Sequence, residues 1–207
     1  MCKKKYSFLI FDLDGVIFDS KKNMEYAWKK TCKKFNLKIK FDLYFKNIGL
    51  PFEKILKNLK IKPNKKIYDS FKKSSLENIS LIKPYKGVTN FLKSLNTQNI
   101  KYSIVTSKDY KRSKYLLKKF KIKPVSIHCP NNKLRGKPYP DHILQTLKQN
   151  KVNPQNACYI GDTFFDYITA KKSKINFIFA KYGYGKNKKI YKVDIKKISD
   201  LKKFIYQ

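Results

Sequence analysis

Ser7-Phe8-Leu9-Ile10-Phe11-Asp12-Leu13-Asp14-Gly15-Val16 is the stretch from which the rest of the chain can be read. A short apolar run ends abruptly in two carboxylates spaced two apart, then a glycine. Such a run reads as a buried parallel strand whose carboxyl end opens into a site, because ligands in open α/β sheets bind beyond that end of the strands. Side chains alternate along an extended backbone, so Asp12 and Asp14 face one way and Leu13 the other. Two carboxylates this close repel each other unless a cation lies near them. The same residues also suit a solvated turn at a strand end, so the remainder of the chain decides.

With 207 residues, 42% of them hydrophobic, the chain can hold one domain with an insertion. Its 49 Lys+Arg against 14 Asp+Glu leave a net charge of +35. Taken alone, that charge suggests nucleic acid or an anionic surface. However, only Arg112 and Arg135 are arginine, the residue favoured for bidentate phosphate and base contacts, and the lysines are scattered along the whole chain. Lys, Asn, Ile, Phe and Tyr are abundant together, and all have codons rich in A and T. A drift in base composition accounts for the charge without a partner, so nucleic acid is not expected; a lysine-rich polyanion-binding surface stays as the rival of a different class. Cys2, Cys32, Cys129 and Cys158 form no C-x-x-C pair and have no histidine at zinc-finger spacing, and read as reduced thiols. Lys3-Lys4-Lys5 before the apolar run faintly resembles a signal peptide, but Asp12 interrupts that run too early. No apolar run approaches the roughly 20 residues needed to span a bilayer. A cytoplasmic protein, monomer or homodimer, is the expectation.

Beyond the first strand (6–11), the chain turns helical. Asp19 or Ser20 suits an N-cap, and Met24, Ala27, Trp28, Thr31, Cys32 and Phe35 recur at helical spacing. Pro51 opens another helix through Ile55, Leu56 and Leu59, and a third runs through Ile67, Phe71 and Leu76. No strand is expected between Val16 and Lys83, which leaves a helical block of about 65 residues. Strands and helices then alternate: helices over 88–95, 109–120, 141–149, 166–172 and 198–205, strands over 102–105, 124–129, 158–160 and 175–180. That alternation predicts an α/β fold, a doubly wound parallel sheet of Rossmann-like form covered on both faces. The expected division is a core of residues 1–16 and 84–207 with a helical cap domain of residues 17–83 inserted.

Four polar features fall at or just after strand ends: Asp12 with Asp14, Thr106 with Ser107, Lys137, and Asp162 with Asp166. Each has a plainer reading, Thr106 and Asp162 as helix caps and Lys137 as one lysine among dozens. On one sheet edge together they suit phosphoryl transfer. A carboxylate can attack phosphorus and split one hard displacement into two. A second carboxyl can protonate the leaving oxygen and then take a proton from water. A hard cation such as Mg²⁺ takes oxygen ligands from carboxylates and substrate phosphate, and a hydroxyl and an ammonium can hold the non-reacting phosphate oxygens.

The stretches Phe11-Asp12-Leu13-Asp14-Gly15-Val16, Ile104-Val105-Thr106-Ser107, Gly136-Lys137-Pro138-Tyr139-Pro140-Asp141 and Gly161-Asp162-Thr163-Phe164-Phe165-Asp166 together resemble the four signature motifs of the haloacid dehalogenase superfamily of phosphohydrolases, in that family's order. The helical block resembles the cap of its phosphoglycolate phosphatase and beta-phosphoglucomutase branch. The resemblance implies Asp12 as nucleophile and Asp14 as general acid/base. It implies phosphate binding by Thr106, Ser107 and Lys137, and Mg²⁺ held by Asp12, the backbone carbonyl of Asp14, Asp162 and, directly or at one remove, Asp166. The carboxyl at Asp14 and the Lys108 that follows Thr106-Ser107 look like the phosphatase pattern rather than the dehalogenase one. The expected reaction is Mg²⁺-dependent hydrolysis of a small phosphorylated metabolite, phosphoglycolate-like by resemblance, with a sugar phosphomutase as the nearer rival. In the cap, the turn Ile48-Gly49-Leu50-Pro51 sits where relatives reach the substrate, with Tyr44 and Lys54 nearby; Arg135 is a further candidate for an anion.

Overall fold

The computed structural model describes residues 5–186 and 189–205; Cys2 and Lys3-Lys4 lie outside them. In chain order the regular elements are β1 (Phe8–Phe11), β2 (Phe18–Asp19), α1 (Lys21–Lys34), α2 (Phe41–Phe45), α3 (Phe52–Asn58), α4 (Lys65–Glu77), β3 (Lys83–Pro84), α5 (Val88–Thr97), β4 (Lys101–Val105), α6 (Tyr110–Lys119), β5 (Ser126–His128), α7 (Asp141–Gln149), β6 (Ala157–Gly161), α8 (Phe164–Lys172), β7 (Asn176–Ala180) and β8 (Asp194–Ile195). The helix expected over 198–205 is present as a 3₁₀ helix, Ile198–Phe204.

Six strands form one sheet in the order β5-β4-β1-β6-β7-β8, every pairing parallel. The chain steps outward from β1 through β4 to β5, then returns to β6 and steps out the other way. The switch point lies between β1 and β6, where open α/β sheets place their ligands. Both faces of β1 are buried. Leu9 and Phe11 pack into one apolar cluster with α5 and α6, whereas Phe8 and Ile10 pack into a second with Ile143 and Leu147 of α7 and Ala170 of α8. A strand covered on both faces needs an unbroken apolar run, and Phe8-Leu9-Ile10-Phe11 is one. Each of those side chains contributes about 1.5–3 kcal/mol by burial.

Register carries the polar residues to one edge. Phe11 is level with Ile104 of β4 and Ile160 of β6, so the residues that follow, Asp12, Thr106 and Asp162, emerge side by side. The Asp12 amide still bonds to the Ile160 carbonyl (2.9 Å), which holds its side chain at the last rung.

Helices α1–α4 lie between β2 and β3 and pack around an apolar cluster of their own, built on Met24, Trp28, Tyr44, Ile55, Leu56, Ile67 and Phe71. Trp28 is stacked on Tyr44 (4.6 Å between centroids), and its indole N–H donates to the Ile39 carbonyl at 3.1 Å. β2 and β3 pair antiparallel where the helices leave and rejoin the sheet. The expectation of no strand in this region missed β2, because a two-residue strand has no periodicity to detect. Among the described residues no helix is long and apolar enough to cross a membrane, and Cys32, Cys129 and Cys158 are free thiols.

Candidate active site

Asp12, Asp162 and Asp166, all buried, each offer a carboxylate oxygen, and these oxygens lie within 4.8 Å of one another. Lys137, delivered by the loop before α7, reaches in between them. Its Nζ is 2.8 Å from Asp12 Oδ1 and 2.6 Å from Asp166 Oδ1. Burial works against the ammonium, but the two carboxylates beside it carry its pKa above the ordinary range. Asp12 is the opposite case. Burial pushes its carboxyl up to about 7, with Lys137 opposing and Asp166 and Asp14 adding to the rise. Asp162 is raised well above the ordinary carboxylate range, by burial first and by Asp166 and Asp12 next.

The acceptors divide into spent and unspent. Asp166 is fully engaged. Oδ1 accepts from Lys137 and from the Tyr159 hydroxyl (3.0 Å), and Oδ2 accepts from the amide and hydroxyl of Thr163 (2.9 and 2.7 Å). Thr163, not Asp162, caps α8, and it forms a reciprocal capping box with Asp166. Asp162 Oδ2 accepts from the Tyr184 amide (2.7 Å). Asp12 Oδ1 and Asp162 Oδ1, by contrast, are buried without a hydrogen bond. The Lys137 contact to Asp12 is a close ion pair that lacks hydrogen-bond alignment.

Asp12 Oδ1 is met by the Lys137 ammonium, but Asp162 Oδ1 is left with no partner, and a buried unpaired carboxylate oxygen costs free energy unless something polar or cationic meets it. Three carboxylates here face one ammonium, an excess of two negative charges that one divalent cation balances. The donor set is all oxygen, which suits Mg²⁺. On these grounds the residues present fit such an ion.

Asp14 does not join that cluster with its side chain. Oδ2 pairs with the buried Lys108 ammonium (3.0 Å), and Oδ1 accepts from the Ser20 hydroxyl (2.5 Å). Ser20 precedes α1 but does not cap it with its side chain, which is spent on Asp14. Burial lowers the Lys108 pKa, and Asp14 works against that fall. Thr106 is buried; its Oγ1 accepts from the Lys108 amide (3.2 Å), and α6 is capped by Asp109 instead. Ser107 donates its hydroxyl to the Gly49 carbonyl (2.7 Å), tying the sheet edge to the turn before α3. Asp12, Asp14, Thr106, Ser107 and Lys108 line one cavity of about 400 Å³, closed on the far side by Tyr44, Leu50, Phe52, Tyr68 and Phe71.

Among the residues singled out in the inserted helices, Tyr44 lines this cavity and Lys54 donates to the Lys137 carbonyl (3.3 Å). Arg135 is turned to Asp141 through two 3.0 Å hydrogen bonds and lies over the Tyr139 ring. The loop Tyr182-Gly183-Tyr184-Gly185 follows β7. It is the third wall of the acidic cluster. A Cβ on Gly183 would stand 2.3 Å from Asp162 Cβ, and one on Gly15, at φ +89°, 2.1 Å from Asp162 Oδ2. Two glycines spaced two apart directly after a strand were the available sign of such close approach. Nothing comparable marked Tyr159, whose hydroxyl is visible only once the sheet is assembled.

Residues 9–180 match the family model described as haloacid dehalogenase-like hydrolase. The chain is 30% identical over 203 residues to a phosphoglycolate phosphatase of Aquifex aeolicus, covering 95% of each. It is 23% identical over 182 residues to a phosphorylated carbohydrates phosphatase of Thermotoga maritima, covering 83% of each. A solved hydrolase structure from Pseudomonas syringae superposes with a TM-score of 0.84 at 23% identity, covering 95% of this chain and 96% of that one, and shares the fold. Motif order, sheet topology and these likenesses agree: the chain belongs to the haloacid dehalogenase-like hydrolase family.

Proposed function

We propose that this protein is a Mg²⁺-dependent phosphatase that hydrolyses a small phosphorylated metabolite through an aspartyl-phosphate at Asp12, with a phosphoglycolate-like ester as the leading substrate. The observation that carries the reading is the buried cluster of Asp12, Asp162 and Asp166 around the single Lys137 ammonium, with Asp162 Oδ1 left unpartnered. Asp12 and Asp162, with Asp166 behind them, would hold the ion. When bound, Mg²⁺ supplies compensation for the negative charge that the phosphoryl group brings to these carboxylates.

The chain's own residues do the rest. A carboxylate oxygen of Asp12 attacks phosphorus; the new P–O bond forms as the ester P–O bond breaks. Asp14 gives its proton to the departing alkoxide, which leaves as the alcohol. Water then attacks phosphorus, Asp14 takes its proton, and the acyl-phosphate bond breaks to return the Asp12 carboxylate and inorganic phosphate. Ser20 and Lys108 aim Asp14 at the cavity. Thr106 has a hydroxyl proton left to give to a phosphate oxygen, and Lys137 stands beside the attacking group. The inserted helices, held to the sheet edge by Ser107 and Lys54, exclude bulk water.

Phosphate release from a panel of phosphorylated metabolites with Mg²⁺ tests the reading. One ester standing well above the rest in kcat/KM is the expected result. The absence of release from every ester, an aryl phosphate included, overturns it.

A further inference from the structure

Arg112 is one of two arginines in a chain whose 49 cationic residues are otherwise lysine, and it is buried (5% exposed) in the wall of the catalytic cavity. It rises from α6. Its Nε donates to Asp109, its Nη1 to the Ser75 hydroxyl of α4 (2.8 Å), and its guanidinium lies 5.6 Å over the Phe71 ring. Ser75 in turn spends its own proton on Asn23 Oδ1 (2.6 Å), so the network fixes the guanidinium plane. A guanidinium has five N–H donors. Two are used here, and Nη2 makes no hydrogen bond within the described residues. Asp109 pairs with the guanidinium from one side, which leaves the Nη2 edge at the cavity wall with donors and no acceptor from the described residues. The other cations of the cavity wall lack a planar fork with a second donor edge. Lys108 is paired with Asp14, and Lys54 sits over Tyr139 and bonds to the Lys137 carbonyl. Arginine is also the residue whose rigid fork suits a carboxylate or a phosphate.

We propose that Arg112 is the specificity determinant of this cavity: its free Nη2 edge receives a second anionic group, carboxylate or phosphate, on a substrate whose scissile phosphoryl group lies at Asp12. This rests on the phosphatase reading above and adds to it the residue that selects the substrate. The cavity of about 400 Å³ has room for both groups, and one wall of it offers each.

The test compares matched esters on the Mg²⁺-loaded full chain: 2-phosphoglycolate against its uncharged carboxamide, and ethylene glycol bisphosphate against the monophosphate. In the wild type the charged member of at least one pair is expected to lead in kcat/KM by about 100-fold, and the favoured pair says which anion is read. Arg112→Met should collapse that ratio to a few-fold, chiefly through KM, and Arg112→Lys should keep part of it. A purely structural arginine would lower both members alike and leave the ratio intact, which overturns the assignment. Collapse of the ratio in Lys54→Met with retention in Arg112→Met overturns it too. If Arg112→Met does not fold, Arg112→Lys and the wild-type pairs decide: equal rates within both wild-type pairs sink the proposal. Release of phosphate from para-nitrophenyl phosphate separates the two levels. With that release present and no charge preference, only the Arg112 assignment fails; with no release from any ester, the phosphatase reading fails and takes the assignment with it.

Discussion

On the sheet edge, Asp12, Asp162, Asp166 and Lys137 are buried, charged and packed within a few ångströms of each other; across the cavity, Tyr44, Phe52, Tyr68 and Phe71 lie ring on ring at 4.8–6.3 Å. The first wall concentrates free energy that folding alone would remove, since burial raises the pKa of both Asp12 and Asp162. The second wall is made of the groups that folding favours most. Chemistry therefore sits on the rigid strand ends, and the helices give shape and dryness. Substitutions should separate the two walls: those on the edge change turnover and can even raise stability, and those on the helical side change stability and KM.

The largest effect belongs to Asp12→Asn. Turnover of an aryl phosphate should fall by about 10³-fold or more. The metal-free protein at pH 8 should melt at a higher temperature than the wild type, measured by circular dichroism. The sign follows from Asp12: its folded pKa, about 7, lies above the ordinary carboxylate value, so ionising it costs stability as pH rises through 7. Residual activity near wild type would move the nucleophile elsewhere.

Chelation comes next. Removing divalent ions should reduce activity by about 10²-fold or more and lower the melting temperature near pH 8. Raising Mg²⁺ should carry the acidic limb of kcat/KM to lower pH, because a cation beside Asp12 favours its charged form. An acidic limb indifferent to Mg²⁺ would separate the ion from Asp12.

Gly183→Ala should be smaller in activity but large in stability, about 1–3 kcal/mol by urea unfolding, because the added methyl meets Asp162 Cβ at 2.3 Å. The smallest effect is expected of Ser107→Ala, which removes the hydroxyl bonded to Gly49. That bond is worth about 1 kcal/mol, and the change should appear in KM rather than kcat. A kcat loss as large as that of Asp12→Asn would erase the distinction between the walls.

The same contrast explains what could be read from residues alone. Asp12, Thr106, Lys137 and Asp162 were legible because each directly follows a strand or lies in a loop after one, and a parallel sheet brings such positions to one edge whatever the loops do. The cavity's far wall was not. Phe52, Tyr68 and Phe71 sit at ordinary helical spacing, and nothing in that spacing says which ring faces a void. The bond from the Ser107 hydroxyl to Gly49 was not legible either, because its partner is 58 residues away. Arg112 and Tyr159 were invisible for the same reason: their partners come from distant elements. The strand Phe18–Asp19 was too short to leave a pattern.

Tyr184 joins these regions in one residue. Its amide holds Asp162, and its hydroxyl accepts from the Ser20 amide (2.6 Å) and reaches the Phe18 carbonyl (3.3 Å) at the start of the helical insertion. A displacement of the strands that carry the helices has to pull on the same side chain whose backbone steadies the acidic cluster. Tyr184 is thus a mechanical joint between the acidic cluster and the root of the helical insertion.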